Sequence, residues 1–258
     1  MDVTNIDLAA IMRRLNLATV ARLLPEYEVR AAKEGWSHHD FVTLLLAEEV
    51  AHRTDTRVKK LARHAHFPYL KTIDEFDFVY QSSLRRQQLG PYLGSDFVTE
   101  GRNLILSGKP GRGKTHLAIA LAYKAIQNGF EARFITASAL IDKLHAAAKN
   151  GTLTETTTEY VQPHVLVVDE VGYLQCAEDA ANVLYGVVDQ RCLKRRPIIF
   201  TTNKALSSWG TVLHDPVPTH APPGRVTHAA RGSFRSRRSL RRERERPVRP
   251  RCVRPGPR

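Results

Sequence analysis

The sequence predicts an α/β protein: a parallel sheet sandwiched by helices, preceded by a small all-helical segment and followed by a disordered basic tail. Three observations carry that reading. Short apolar runs alternate with helical stretches from Arg102 to about Thr201. The first 70 residues show helical periodicity. Beyond Pro216 the apolar residues nearly vanish. These observations set the expected boundaries at 1–70, 71–216 and 217–258.

The helical segment comes first. Leu17, Val20, Ala21, Leu23 and Leu24 recur at helical spacing. Ser37 is placed to cap a second helix that carries Phe41, Leu44, Leu45 and Val50 and runs to about Ala65, with Asp40 in its first turn. In its basic second half Arg53, Arg57, Lys60 and His64 share one face, with Arg63 beside them. That face reads either as a solvated surface or as a ridge that contacts nucleic-acid phosphates. Pro68 ends the pattern, and Lys71 to Phe78 reads as a linker. Its aromatics Phe76 and Phe78 pack either in the core or near a nucleotide base.

The alternating region follows. Asn103–Ser107, Ala132–Thr136, Val165–Val168 and Pro197–Thr201 are the expected strands. Lys114–Asn128, Ser138–Lys149 and Ala177–Leu193 are the expected helices, with Gly129 as a stop. Val165 to Val168 is apolar at every position, as a strand buried on both faces should be. Strands that alternate with helices imply a parallel sheet.

Bulk properties narrow the function. No run reaches the roughly 18–20 apolar residues of a membrane span, and the first residues lack the pattern of a signal peptide, so a cytoplasmic location is expected. The three cysteines, Cys176, Cys192 and Cys252, are far apart. That argues against a disulfide framework or a structural zinc site. The formal net charge is +13, but 13 of the 39 Lys and Arg and only two of the 26 Asp and Glu lie beyond Pro216. The basic character therefore belongs mainly to the tail.

Two motifs carry chemistry. Gly108-Lys109-Pro110-Gly111-Arg112-Gly113-Lys114-Thr115, followed by His116, matches G-x-x-x-x-G-K-[ST] between a strand and a helix. Its glycines let backbone N–H groups approach phosphate oxygens, and the helix N-terminus adds partial positive charge. Lys114 offers a point charge to the phosphates, and the Thr115 hydroxyl suits a Mg²⁺ shell. Val165-Leu-Val-Val-Asp169-Glu170 matches a Walker B strand. Asp169 there serves Mg²⁺, and Glu170 polarises an attacking water as general base. Asn203, at the end of the next strand, either senses the γ-phosphate or caps the following turn. ATP is the expected ligand, with GTP the weaker alternative.

Together the P-loop, Val-Val-Asp169-Glu170-Val-Gly-Tyr-Leu174, Thr201-Thr-Asn203 and Trp209-Gly210 resemble the IstB-like transposition helper ATPases, AAA+ proteins related to the DnaC helicase loader. At this level the resemblance covers about residues 1–216. It implies a helical N-terminal domain joined to an AAA+ module. That module would bind ATP and Mg²⁺, assemble as a homo-oligomer on double-stranded DNA and hand a target site to a transposase. By position it gives phosphate and metal binding to Lys114 and Thr115, the metal to Asp169, the base to Glu170 and the first sensor to Asn203. Arg53, Arg57, Lys60 and Arg63 become candidate DNA contacts. A loader acting on a replicative helicase, and a nucleotide-binding remnant without effective turnover, are the alternatives.

The residue-level resemblance ends after His214-Asp215-Pro216. The family's lid helices and their arginines would follow; an Arg/Ser/Pro-rich stretch stands there instead. A polybasic nucleic-acid-binding tail and a shift of reading frame both fit. Either way, impaired assembly and hydrolysis are the expectation.

Overall fold

The structure is a computed structural model that describes residues 7–79, 84–171 and 178–204, with the side chains of 178–183 left aside. Trp209-Gly210 and the tail lie outside the described residues. The chain divides into two compact units, Met1–His64 and Ala65–Arg258.

In the first unit, α1 (Leu8–Arg14), α2 (Ala18–Glu34) and α3 (His38–His64) pack around Met12, Val20, Tyr27 and Leu45. Ser37 starts α3 as expected: its Oγ accepts from Asp40 N–H at 3.1 Å and donates to the Asp40 carboxylate at 2.6 Å. The helix ends at His64, ahead of Pro68, where His66 takes a left-handed φ of 56°. A tertiary cap joins the helices. Glu49 of α3 is 5% exposed and accepts from Thr19 N–H at 2.8 Å and Val20 N–H at 3.1 Å, in the first turn of α2. Arg53, one turn on, ion-pairs with Glu49 at 2.7 Å and donates to the Asn16 carbonyl at 2.5 Å. Burial pushes the Glu49 carboxyl up, but the hydrogen bonds from Arg53, Val20 and Thr19 outweigh it and hold it below the usual value.

The second unit holds α4 (Arg86–Leu93), α5 (Asp96–Thr99), β1 (Leu104–Ser107), α6 (Lys114–Gln127), β2 (Ala132–Thr136), α7 (Ala137–Lys149), α8 (Leu153–Val161), β3 (Val165–Asp169), α9 (Glu178–Leu193) and β4 (Ile198–Thr202). All strand pairings are parallel, in the order β1-β4-β3-β2. The expected fold class is therefore the observed one; α4, α5 and α8 are additions to the sequence reading.

The sheet order positions the site. From β1 the chain crosses the whole sheet through α6 to β2, then returns strand by strand through α7–α9. Right-handed crossovers in opposite directions put the helices on opposite faces. Alternate residues sort accordingly. Leu166, Val168, Ile198 and Phe200 join Leu140, Leu144, Tyr160 and Leu184 in one core cluster. Val165, Val167 and Ile199 point to the other face, where α6 lies against all four strands. The same parity puts Asp169 and Thr201 on the α6 face, at the C-terminal ends of adjacent strands.

A buried cation ties the far side together. Arg191 of α9 is fully buried and donates to the carbonyls of Tyr160, Pro163, His164 and Pro197 at 2.7–3.0 Å. It satisfies the end of α8 and the entries to β3 and β4 at once. Burial, then the neighbouring Arg196 charge, pulls its guanidinium down to about 9, which leaves it charged at neutral pH.

Candidate functional site

The P-loop follows the edge strand β1 and is anchored to β4, because Gly108 N–H donates to the Thr202 carbonyl at 3.1 Å. The loop then climbs through Lys109 and Pro110, both exposed, to α6. Gly111 and Gly113 take φ of 71° and 75°, a region that L-residues enter at a cost. A Cβ at Gly111 would meet nothing within 4 Å, whereas one at Gly113 would lie 2.9 Å from the Phe76 ring. Phe76 is buried, and its ring meets His116 edge-on at 5.3 Å. His116 Nε2–H also donates to the Thr72 carbonyl at 3.1 Å. The linker is thus strapped to the first turn of α6. Phe76 packs beneath the loop, which resolves its two readings in favour of core packing.

Lys114 opens α6, and its ammonium donates to the Lys109 carbonyl at 2.9 Å. Burial lowers its pKa, and the charges of Asp169 and Glu170 only partly offset that. The Thr115 hydroxyl donates to the Asp169 carboxylate, at 2.9 and 3.1 Å from its two oxygens. Glu170 follows β3 in a left-handed conformation, φ 61°, and its side chain is exposed at the mouth of the site. Asn203 follows β4, and its buried Oδ1 has no hydrogen-bond partner. The turn after β4 is closed by Thr202, whose Oγ1 accepts from Lys204 N–H at 3.1 Å.

A cavity of about 290 Å³ lies between these elements, lined by Pro110 to His116, Glu170, Asn203, Thr201, Thr202 and Tyr69. Its size is at the lower end of the roughly 300–1,000 Å³ range of small-molecule sites. Its chemistry fits a polyphosphate with a hard cation. A helix N-terminus, glycines in left-handed turns and an ammonium face one wall. Hydroxyl and carboxylate oxygens face the other, a donor set suited to Mg²⁺.

Sequence reasoning missed three lining residues, Tyr69, Thr201 and Thr202. Tyr69 stands just ahead of the linker, after Pro68, and burial, then the Asp169 charge, raises its phenol pKa, keeping it a neutral donor. No motif marks it. Thr201 sits one strand over from Asp169; strand parity and the β3-β4 pairing together would have found it. The predicted basic face does not act as one group. Arg53 spends its guanidinium on Glu49 and the Asn16 carbonyl. Arg57, Lys60 and Arg63 lie farther along α3, all exposed.

Fold and site define a P-loop protein with a Walker B carboxylate pair. The family model described as IstB-like ATP binding protein matches residues 10–246, and the chain belongs to that family. The match runs past Pro216, farther than the residue-level resemblance reached. A protein named for ATP binding in insertion sequence IS5376 of Geobacillus stearothermophilus is 34% identical over 215 residues, 83% of this chain and 85% of that protein. Its counterpart from IS21 of Pseudomonas aeruginosa is 30% identical, over 86% of this chain and 83% of that one. Among solved structures, the DnaC helicase loader shares 26% identity at a TM-score of 0.42, over 45% of this chain and 74% of that chain. No helix among the described residues is long and apolar enough to cross a membrane.

Proposed function

We propose that this chain binds ATP with Mg²⁺ in the cavity above the P-loop and hydrolyses it in support of transposition on double-stranded DNA. The observation that carries the reading is the convergence of Lys114, Thr115 and Glu170 on one cavity at the C-terminal edge of the sheet, with Asp169 hydrogen-bonded to Thr115 just behind the cavity wall. The loop N–H groups and Lys114 bind the β and γ phosphates. Thr115 and Asp169 would hold Mg²⁺, which supplies charge neutralisation and alignment of the phosphate oxygens. Glu170, at the mouth, orients a water and takes its proton. Asn203 lines the same cavity, and its buried Oδ1 lacks a partner, which makes it the candidate sensor. The insertion-sequence relatives support the biological setting, and a transposase is the partner that setting implies. The family also suggests an ATP-dependent homo-oligomer. Arg57, Lys60 and Arg63 carry the DNA contact in this reading, with Arg53 as their structural support.

Fluorescently labelled ATP tests the binding step. The wild type is expected to bind it with Mg²⁺, and absence of binding at millimolar nucleotide would sink the proposal. Turnover with double-stranded DNA tests the chemistry. Glu170→Gln should keep binding and lower kcat by about 100-fold or more. Brisk turnover that Glu170→Gln abolishes would also refute the impairment expected from the tail. Alanine at Arg57, Lys60 and Arg63 together should flatten the salt dependence of DNA affinity, by about one unit of slope for each phosphate that is no longer neutralised.

A further inference from the structure

We propose that Thr201 is the positioning residue that sets the two acids of the site, joining the Asp169 carboxylate to the Glu170 backbone through one hydroxyl. The inference rests on the reading of the cavity as an ATP·Mg²⁺ site. Thr201 Oγ1 donates to Asp169 Oδ1 and accepts from Glu170 N–H at 2.9 Å. A hydroxyl has one proton and two lone pairs, so both directions are chemically consistent. Thr201 is 1% exposed. Loss of the hydroxyl in a variant of the same shape leaves the Glu170 N–H without this acceptor and removes one of the two hydroxyls that donate to Asp169 Oδ1.

The consequences differ for the two acids. Asp169 is held from two sides, by Thr115 from α6 and by Thr201 from β4. That fixes the plane of its carboxylate, as outer hydrogen bonds do for metal-ligating carboxylates. Glu170 sits at φ 61°, a left-handed conformation that a non-glycine residue keeps only where the surroundings hold it. The bond from its N–H to Thr201 is one contact that holds it there. One side chain thus couples where the metal-binding carboxylate points to where the base emerges from the strand. The register explains why this position serves: Val168 pairs with Phe200, so the next step along both strands brings Asp169 beside Thr201.

The experiment compares wild type, Thr201→Val, Thr201→Ala and Thr201→Ser for binding of fluorescently labelled ATP across a Mg²⁺ titration and in EDTA. Valine keeps the shape and removes the hydroxyl; serine restores it. Expected are unchanged affinity in EDTA and a Mg²⁺ requirement raised about tenfold in the valine variant, with serine within about twofold of wild type. In turnover, kcat should fall more than KM rises. Equal loss of affinity with and without Mg²⁺, or no change in either, would overturn the proposal. If the valine variant does not fold, the alanine variant is judged by the same criteria. Failure of the wild type to bind the nucleotide would instead refute the site reading itself, so the two failures are distinguishable.

Discussion

Lys114 shows how one residue can oppose the fold while serving the site. Its ammonium is partly buried, and burial depresses its pKa despite Asp169 and Glu170 nearby. A lysine with a depressed folded pKa binds its proton less readily in the folded chain than in the unfolded one. Its charge therefore destabilises the nucleotide-free protein at neutral pH, and that penalty is relieved only as pH rises through the folded value toward the ordinary one near 10.5. Phosphate oxygens would supply the missing counter-charge. Lys114→Ala should thus leave the melting temperature of the nucleotide-free protein unchanged or raised. Affinity for labelled ATP should fall by about 100-fold or more, since the variant has no ammonium to hydrogen-bond the phosphates at the site's centre. A lower melting temperature in the variant would show that the hydrogen bond to the Lys109 carbonyl outweighs the burial cost.

At the scale of the element, the linker and the P-loop constrain one another. Gly111 and Gly113 have similar left-handed dihedrals, but only Gly113 faces a buried aromatic ring. Gly111→Ala should cost about 1–2 kcal/mol from the backbone alone. Gly113→Ala should cost more, because Phe76 cannot move without breaking its edge-on packing against His116. Trimming the ring in Gly113→Ala/Phe76→Leu should recover the excess but not the backbone share, as chemical denaturation of the three variants would show. This pairing also marks how far the sequence could be read. The P-loop and its strand and helix were legible because each motif position has a local physical reason. That Phe76 belongs under Gly113 was not, because it depends on where the linker returns. Pro91 and Gly90 hid α4 by looking like a break, and the threonine-rich run in α8 has weak helix propensity. Arg191 reads as one more basic residue in Gln190-Arg-Cys-Leu-Lys194. Only the assembled fold gathers the carbonyl groups that bind it.

Across the whole molecule, the two units draw stability from different sources, and pH should tell them apart. The second unit is built on fully buried parallel strands β3 and β4 and an α6 whose apolar run Leu117–Ala122 is buried. The first has a small core of Met12, Val20, Tyr27 and Leu45, and relies on Glu49 to cap α2 and on Arg53 to secure Glu49. The Glu49 carboxyl is held below its ordinary value. Its contribution is therefore complete above the ordinary glutamate pKa of about 4.3 and is lost as pH falls through the lower folded value. Acidification from neutral pH should loosen the first unit once that window is reached. Trp36 reports on it, because its ring packs edge-on against Tyr27 at 5.9 Å. In a Trp209→Phe background, Trp36 fluorescence should show the first unit melting at lower temperature as pH drops from about 5 to 3. Glu49→Gln should lower that melting temperature at neutral pH and flatten the acid dependence, because the charge that Arg53 and the α2 amides favour is gone. If the Glu49→Gln protein keeps the wild-type acid slope, another carboxylate governs the first unit and the cap is not what holds its helices together.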